Sequence, residues 1–525
     1  MQRLFIFAIG GTGSRVLRSL NFLLAAGIDG LTSQTEIFPL IIDYDKQNGD
    51  KSRTLDCINN YRAVRRAFEK HHNKNNENDE NNENDEFFMT NILKIGDKVP
   101  KFELVFAPKN GQNRFKDSID YISFNGPTAS TQYLIDSLYD TSQLKERAEL
   151  DLNMTIGFQG NPNIGSVVFD ELQNTPEYKE FQRLFNPETD GIMIIGSLFG
   201  GTGSSGIPAL INAIRSKKAP KLQKANVGAI MILPYFDLGA VPNGAAGSIK
   251  PKIFASKVKA ALNFYEDSGL NNAFDSIYYV GDQNLSKLNY ADGGVAQKNP
   301  ANIVEFIAAL SIVHFILNGK KGKTAYYKYG TACELYGNKG KKVLSYDDLK
   351  NDDFTCSVLN RLNQLTLSLK YFTDVIENKK SSLSDVPFYR YIFDNVMSWT
   401  THTNGNNPLQ DLCYYLHCFY VQYRDWLAEL ANENNGHQLV LYDLAQPIYK
   451  MFYGKPQTKM AGFSKNENPS VEESDLTLRI DNAFYNNHFG KGKGLKKPEE
   501  KDFVLMDILR KGSENLMKDN TKINL

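Results

Sequence analysis

Net charge, cysteine and long apolar runs are all scarce in this 525-residue chain, and each scarcity removes a class of function. Sixty basic and sixty acidic residues cancel. No global field therefore draws nucleic acid or an anionic membrane, and a nucleic-acid role lacks its electrostatic footprint. The five cysteines, at 57, 333, 356, 413 and 418, are scattered and odd in number, with no CxxC pair. They read as reduced thiols of a cytoplasmic protein. The longest apolar run, Ile303 to Leu317, carries Glu305 and His314 and is too short to span a bilayer, so it reads as a buried helix. Arg3 precedes only six apolar residues, which enter a glycine loop with no small-residue cleavage site; this does not read as a signal peptide. His314, His402, His417, His437 and His488 show neither metal spacing nor a paired nucleophile, which argues against a metalloenzyme or a hydrolase of the triad type.

Glycine, by contrast, is concentrated at two telling places. An apolar run, Ile192 to Ile195, leads through Phe199 into Gly200, Gly201, Thr202, Gly203, Ser204, Ser205 and Gly206, and an apolar helical pattern follows to Ile214. Glycines there let backbone amides approach a phosphate, the hydroxyls add donors, and the new helix aims its positive dipole end at the same anion. No GKS or GKT follows, so this is a phosphate cradle without the P-loop lysine. The device occurs twice. Leu4 to Ile9 reads as a strand, Gly10, Gly11, Thr12, Gly13 and Ser14 as its loop, and Arg15 to Ala26 as the helix. A further strand, Ile37 to Ile42, ends in Asp43, Asp45 and Gln47, placing carboxylates at a strand's C-terminal edge, where open α/β sheets bind ligands.

Strands separated by helices through residues 1–320 predict an α/β fold with a Rossmann-like parallel sheet covered on both faces. Residues 51–150 read as a polar insertion. Within it the tract 70–86 has almost no apolar side chain and reads as a mobile segment. From 321 to 454 the apolar spacing is helical, predicting a mainly α-helical C-terminal domain, with one strand-like run from Gln438 to Tyr442. Residues 455–525 read as a polar, loosely ordered tail with a short basic run at 491–497, available to an unidentified protein partner. There is no internal repeat.

The order of these loops resembles the GTP-binding domain of the tubulin/FtsZ superfamily. Phe199 to Ser205 is similar to its GGGTGSG-like loop, with Phe199 and Ser205 in place of the first and last glycines. Gly10 to Ser14 resembles the first phosphate loop, and Asp43 to Gln47 the NTDxQ loop that places Asp45 and Gln47 near magnesium and phosphates. Gly160, Asn161 and the residues to Gly165 are similar to the GANPE-type loop over the γ-phosphate. Pro234 to Gly239 resembles the KPFxFEG segment beside the ribose, and Phe274 to Gln283 the stretch that sets Asp282 near the sugar. The helix starting near Asn299 and Asn302 matches the place where the family's central helix reads guanine. The resemblance covers the N-terminal three-fifths of the chain.

What the resemblance implies is a divergent prokaryotic tubulin-like protein. It would bind GTP or GDP with Mg2+ at Asp45 and assemble head to tail with copies of itself, in a cytoskeletal, segregation or defence role. A non-closing contact of that kind gives a filament. The family completes hydrolysis with acids donated by the neighbouring subunit. The NxDxxD loop that carries them is absent here, with Asp347 and Asp348 the nearest acidic residues and a solvated turn the simpler reading of both. GTP binding is thus the firmer expectation and a GTPase activity the weaker one. Two rivals stay open. A scaffold that kept the fold would act through its helical C-terminal half. A nicotinamide-dinucleotide enzyme would use Gly11 to Gly13 with Asp43, although Val16 stands where the third fingerprint glycine belongs.

Overall fold

The computed structural model describes residues 1–75, 87–96, 101–104, 106, 114–119, 129–139, 149–158, 160–238, 254–289, 293–319, 325–329, 343–349, 352–378, 387–446, 448, 451 and 499–518. In chain order the first half comprises β1 (Arg3–Ile9), α1 (Gly10–Ala25), β2 (Glu36–Ile42), α2 (Gly49–Asn75), β3 (Asn91–Ile92) and β4 (Glu103–Leu104). Four helices follow: α3 (Phe115–Ser118), α4 (Ala129–Tyr139), α5 (Pro162–Phe169) and α6 (Pro176–Leu184). Alternation then resumes with β5 (Asp190–Ser197), α7 (Gly201–Arg215), β6 (Asn226–Ile232), β7 (Phe236–Leu238), α8 (Phe254–Asp267), β8 (Ser276–Val280), β9 (Ser286–Leu288), α9 (Ile303–Asn318) and β10 (Ala325–Tyr329).

Eight of these strands form one sheet in the order β10-β8-β6-β5-β1-β2-β3, with β4 also pairing β2. Every pairing in it is parallel. The chemistry of the strands dictates this. Leu4 to Ile9, Ile37 to Ile42 and Asp190 to Ser197 are buried without alternation, the pattern of a sheet covered on both faces. α1 packs against α2 and α9, and α7 against α5. The chain lays β2, β3 and β4 to one side of β1, then crosses back and lays β5, β6, β8 and β10 to the other. The strand order therefore reverses between β1 and β5, and the crevice beyond their C-terminal ends is where such sheets bind ligands.

Residues 51–150 are more than an insertion. Cys57, Ile58, Tyr61 and Val64 form a buried stripe along α2, and the helical spacing of that stripe carries α2 onto α1. β3 and β4 extend the sheet beyond β2. α2 continues to Asn75, so the start of the polar tract is helical, while 76–86 lies outside the described residues.

Beyond the sheet lie the helices Asp353–Tyr371, Pro387–Asn395, Pro408–Leu430 and Glu499–Lys518. The aromatic-rich stretch of the third packs on α1. Phe22 meets Phe419, Tyr423 and Trp426 at centroid distances of 5.5, 5.5 and 4.9 Å, and Trp426 Nε1 donates to Ser19 Oγ at 3.1 Å. The strand-like run at 438 forms a two-residue strand, Gln438–Leu439, parallel to Val343–Leu344. The tail expected to be loosely ordered contributes the last helix, because Leu505, Ile508, Leu509 and Leu516 recur at helical spacing and are buried. Residues 452–498, including the basic run, lie outside the described residues. Among the described residues no helix is long and apolar enough to cross a membrane.

Candidate functional site

The crevice between β1 and β5 is a cleft lined by both glycine turns. α1 begins at Gly10, directly after β1, and α7 at Gly201, with three residues between it and β5, and neither N-terminus has a side-chain cap. Their first-turn amides thus remain free to meet a ligand. The two turns touch: a Cβ on Gly10, whose φ is +73°, would stand 3.5 Å from Thr202 Cβ. Gly13 and Gly203 serve a different end. A Cβ on Gly13 would lie 2.7 Å from the Ala8 carbonyl carbon, and one on Gly203 would lie 2.6 Å from Ser197 backbone atoms, so each lets its helix close onto its strand.

The hydroxyls divide in the same way. Thr12 and Thr202 line the cleft. Ser14 Oγ donates to Gly10 O at 3.3 Å and Ser205 Oγ to Gly201 O at 2.7 Å, while Ser204 Oγ bonds the Gly200 carbonyl. The three serines are turned back onto their own helices and do not line the cleft. Gly160 lines it beside Gly157 and Phe158. Asn161 stands outside at the start of α5, its amide donating to Phe158 O at 2.9 Å.

β2 delivers Asp43, Asp45 and Asn48 to the same cleft. Asp45 accepts from Gln47 N at 3.0 Å and from Gly294 N at 2.6 Å, while the Gln47 side chain is exposed and does not line the cleft. Asp43 accepts from Asp45 N at 3.1 Å and Asn48 Nδ2 at 3.2 Å. Burial pushes the Asp43 carboxyl up to about 7, against the backbone hydrogen bond from Asp45, which holds it down. Among the described residues no group of three or more histidine, cysteine, aspartate or glutamate side chains converges as a metal site, so this carboxylate pair stands by itself.

One wall is apolar, with Phe199, Phe236, Leu238 and Phe254; on another, Gln297 and Asn299 present amides. Gln297 Oε1 accepts from Asn48 Nδ2 at 3.1 Å. Asn299 holds its loop through its backbone, its N–H donating to Asp50 Oδ1 at 3.0 Å. Asn302 is elsewhere. It is buried as the cap of α9, accepting from Val304 N at 2.9 Å and donating to Ser286 Oγ at 2.7 Å. Asp282 is buried too, 2.7 Å from His437 Nδ1. Neither residue lines the cleft.

Arg15, which the motif reading passed over, lines the cleft at 3% exposure. Its Nη1 donates to Asp50 at 2.6 Å, its Nη2 to Tyr235 Oη at 2.7 Å, and its Nε to Glu305 at 2.5 Å. Its position directly after the glycine loop was the available signal, but its partners lie far along the chain. Asp348 is buried and accepts from Ser345 N and Oγ at 2.7 and 2.8 Å, capping a four-residue helix rather than facing solvent. Asp347 sits on that helix, with its side chain outside the described residues.

The site is thus a crevice at a strand-order reversal, floored by two uncapped helix starts, with carboxylates to one side and amides and rings around it. No protein-family model matches the chain, and no curated protein matches it.

Proposed function

We propose that this cleft binds a guanine nucleotide, GTP or GDP, together with Mg2+, and that nucleotide state governs head-to-tail self-assembly of a tubulin/FtsZ-like protein. The carrying observation is the meeting of two glycine turns at the sheet's reversal, each opening a helix with no side-chain cap. Backbone amides after Gly10 and Gly200 hold phosphate oxygens, and Thr12 and Thr202 add hydroxyl donors. Asp45, with Asp43, holds the cation, which offsets phosphate charge when bound. Phe199 and Phe236 offer faces to the base or sugar, and Gln297 and Asn299 offer donors and acceptors to its edge. Hydrolysis is proposed only for an assembled state, with the acid supplied by a neighbouring subunit.

One observation favours a second reading. Asp43 directly follows β2 at the cleft, where a dinucleotide enzyme places its ribose-binding acid. That reading gives the second glycine turn no task.

A titration with GTP, GDP, ATP and NADH, with and without Mg2+, tests both while following melting temperature and light scattering. Stabilisation by GTP and Mg2+ with rising scattering supports the proposal. Stabilisation by NADH alone selects the dinucleotide. No response to guanine nucleotides overturns the GTP reading.

A further inference from the structure

Among the described residues, the lining of the cleft has no cation to spare for a polyphosphate. Asp43 and Asp45 face it, and Arg15 is the one cation among the described lining residues. Asp50 and Glu305 already neutralise that arginine. The chain also lacks the lysine that follows the glycines of a P-loop.

A cation stands just outside the cleft, in the next groove. Lys257, in the first turn of α8, donates from Nζ to the carbonyl of Gly160 at 2.7 Å. Gly160 lines the cleft, and its amide nitrogen lies 3.0 Å from where a Cβ on Gly201 would stand. The ammonium therefore sits one residue away from the uncapped start of α7. Its side chain lines the neighbouring groove between α5, α7 and α8, together with Pro162, Ser204 and Ala261. Among the described residues its bonded partner is a neutral carbonyl. Burial pulls its pKa below the ordinary lysine value, the mark of an ammonium short of solvent and of counter-charge. A flexible four-carbon stem lets such a group swing to an anion within reach.

We propose that Lys257 is the phosphate-binding cation of this cleft, parked on the Gly160 carbonyl and turning to the terminal phosphate of a nucleoside triphosphate. The inference rests on the nucleotide reading of the site. It assigns to α8, the next helix after α7, the task that a P-loop gives to the residue after its glycines.

The test compares a non-hydrolysable GTP analogue with GDP, both with Mg2+, by calorimetric titration of the full chain. Lys257→Met is expected to weaken the triphosphate about 10- to 100-fold, the value of a charge-assisted hydrogen bond, and GDP by less than about threefold on the same arithmetic. Lys257→Arg should keep most of the triphosphate affinity. Retained GDP binding doubles as the check on folding, and Lys257→Gln carries the same comparison if the methionine variant does not fold. Equal loss for both nucleotides makes Lys257 a tether of the loop and overturns the proposal. Unchanged triphosphate affinity in Lys257→Met overturns it while leaving the cleft reading intact. A wild-type chain that binds neither nucleotide removes both.

Discussion

Arg15 Nε and Glu305 Oε1 lie 2.5 Å apart, locking the second turn of α1 to the first turn of α9 across 290 residues of chain. Both side chains are buried, and Arg15 lines the cleft. Tyr235 Oη donates to the same glutamate oxygen at 2.7 Å, and Asp50 holds the far side of the guanidinium. From Asp50 the ions continue. Arg53 bonds Asp50 at 2.6 Å and Glu429 at 2.8 Å, and Arg18 also reaches Glu429, at 2.6 Å. The cleft is therefore tied by charge to the end of the helix Pro408–Leu430.

Arg15→Met leaves Glu305 and Asp50 buried without their shared cation. The expected cost is about 3–5 kcal/mol, as for other buried pairs broken on one side. Pairing it with Glu305→Met should cost less than the two single changes summed. Urea denaturation of the three variants measures this. A single-variant loss under about 1 kcal/mol, the range of exposed pairs, would show that the network is not a buried one.

Gly11 and Gly13 are two residues apart and should fail in opposite ways. A Cβ on Gly11 would stand an ordinary 3.4 Å from Asn48 Nδ2, on the cleft side, so Gly11→Ala should keep the fold and lose nucleotide affinity. A Cβ on Gly13 would stand 2.7 Å from the Ala8 carbonyl carbon. Gly13→Ala should therefore cost about 1–3 kcal/mol of stability by prying α1 off β1. Melting curves with and without GTP separate the two outcomes. Equal destabilisation by both changes would contradict the assignment of Gly11 to the ligand.

The carboxylates at the end of β2 predict a metal dependence. In wild type, Mg2+ should raise GTP affinity, and the pair Asp43→Asn with Asp45→Asn should remove at least about tenfold of that gain, or about 1.4 kcal/mol. Binding without Mg2+ should survive in the variant, because the amide turns are unchanged. A full Mg2+ increment in the double variant would place the cation elsewhere.

His314 predicts a pH dependence away from the cleft. Its ring packs against those of Tyr278 and Phe354, and its Nδ1 lies 2.9 Å from Tyr278 Oη. Burial pushes its pKa below the ordinary histidine value. The unfolded chain then takes up a proton that the folded protein resists. The stability concerned is present above about pH 6.5 and is lost as pH falls toward the lower folded value. His314→Phe keeps the ring contacts and cannot titrate. The stability advantage of wild type over the variant should therefore shrink between pH 8 and pH 5 in urea titrations. A constant difference would refute it.

Strand, glycine turn and helix were legible at both ends of the device, since unbroken apolar runs and a following 3.6-residue period are local properties of the chain. The same local signal read Asp45 onto the sheet edge, whereas the loop at Gly160 was brought to the site only by the family resemblance. α2 and the last helix were passed over because their short apolar stripes, such as Cys57, Ile58, Tyr61 and Val64, are diluted by charge. Asp282 follows β8 and Asn302 caps α9, but their side chains turn to His437 and Ser286, partners in remote strands and loops.

What the sequence determined alone was the type of each central element and the chemistry of each turn, because backbone conformation and burial periodicity are set by neighbours a few residues apart. Only the tertiary structure decided that β1 and β5 lie side by side, so that two glycine turns 190 residues apart share one cleft. It also decided which polar groups face that cleft and which are spent inside. Arg15, Asp50 and Glu305 must satisfy one another before any ligand arrives, since a buried charge without a partner costs more than the fold can offset.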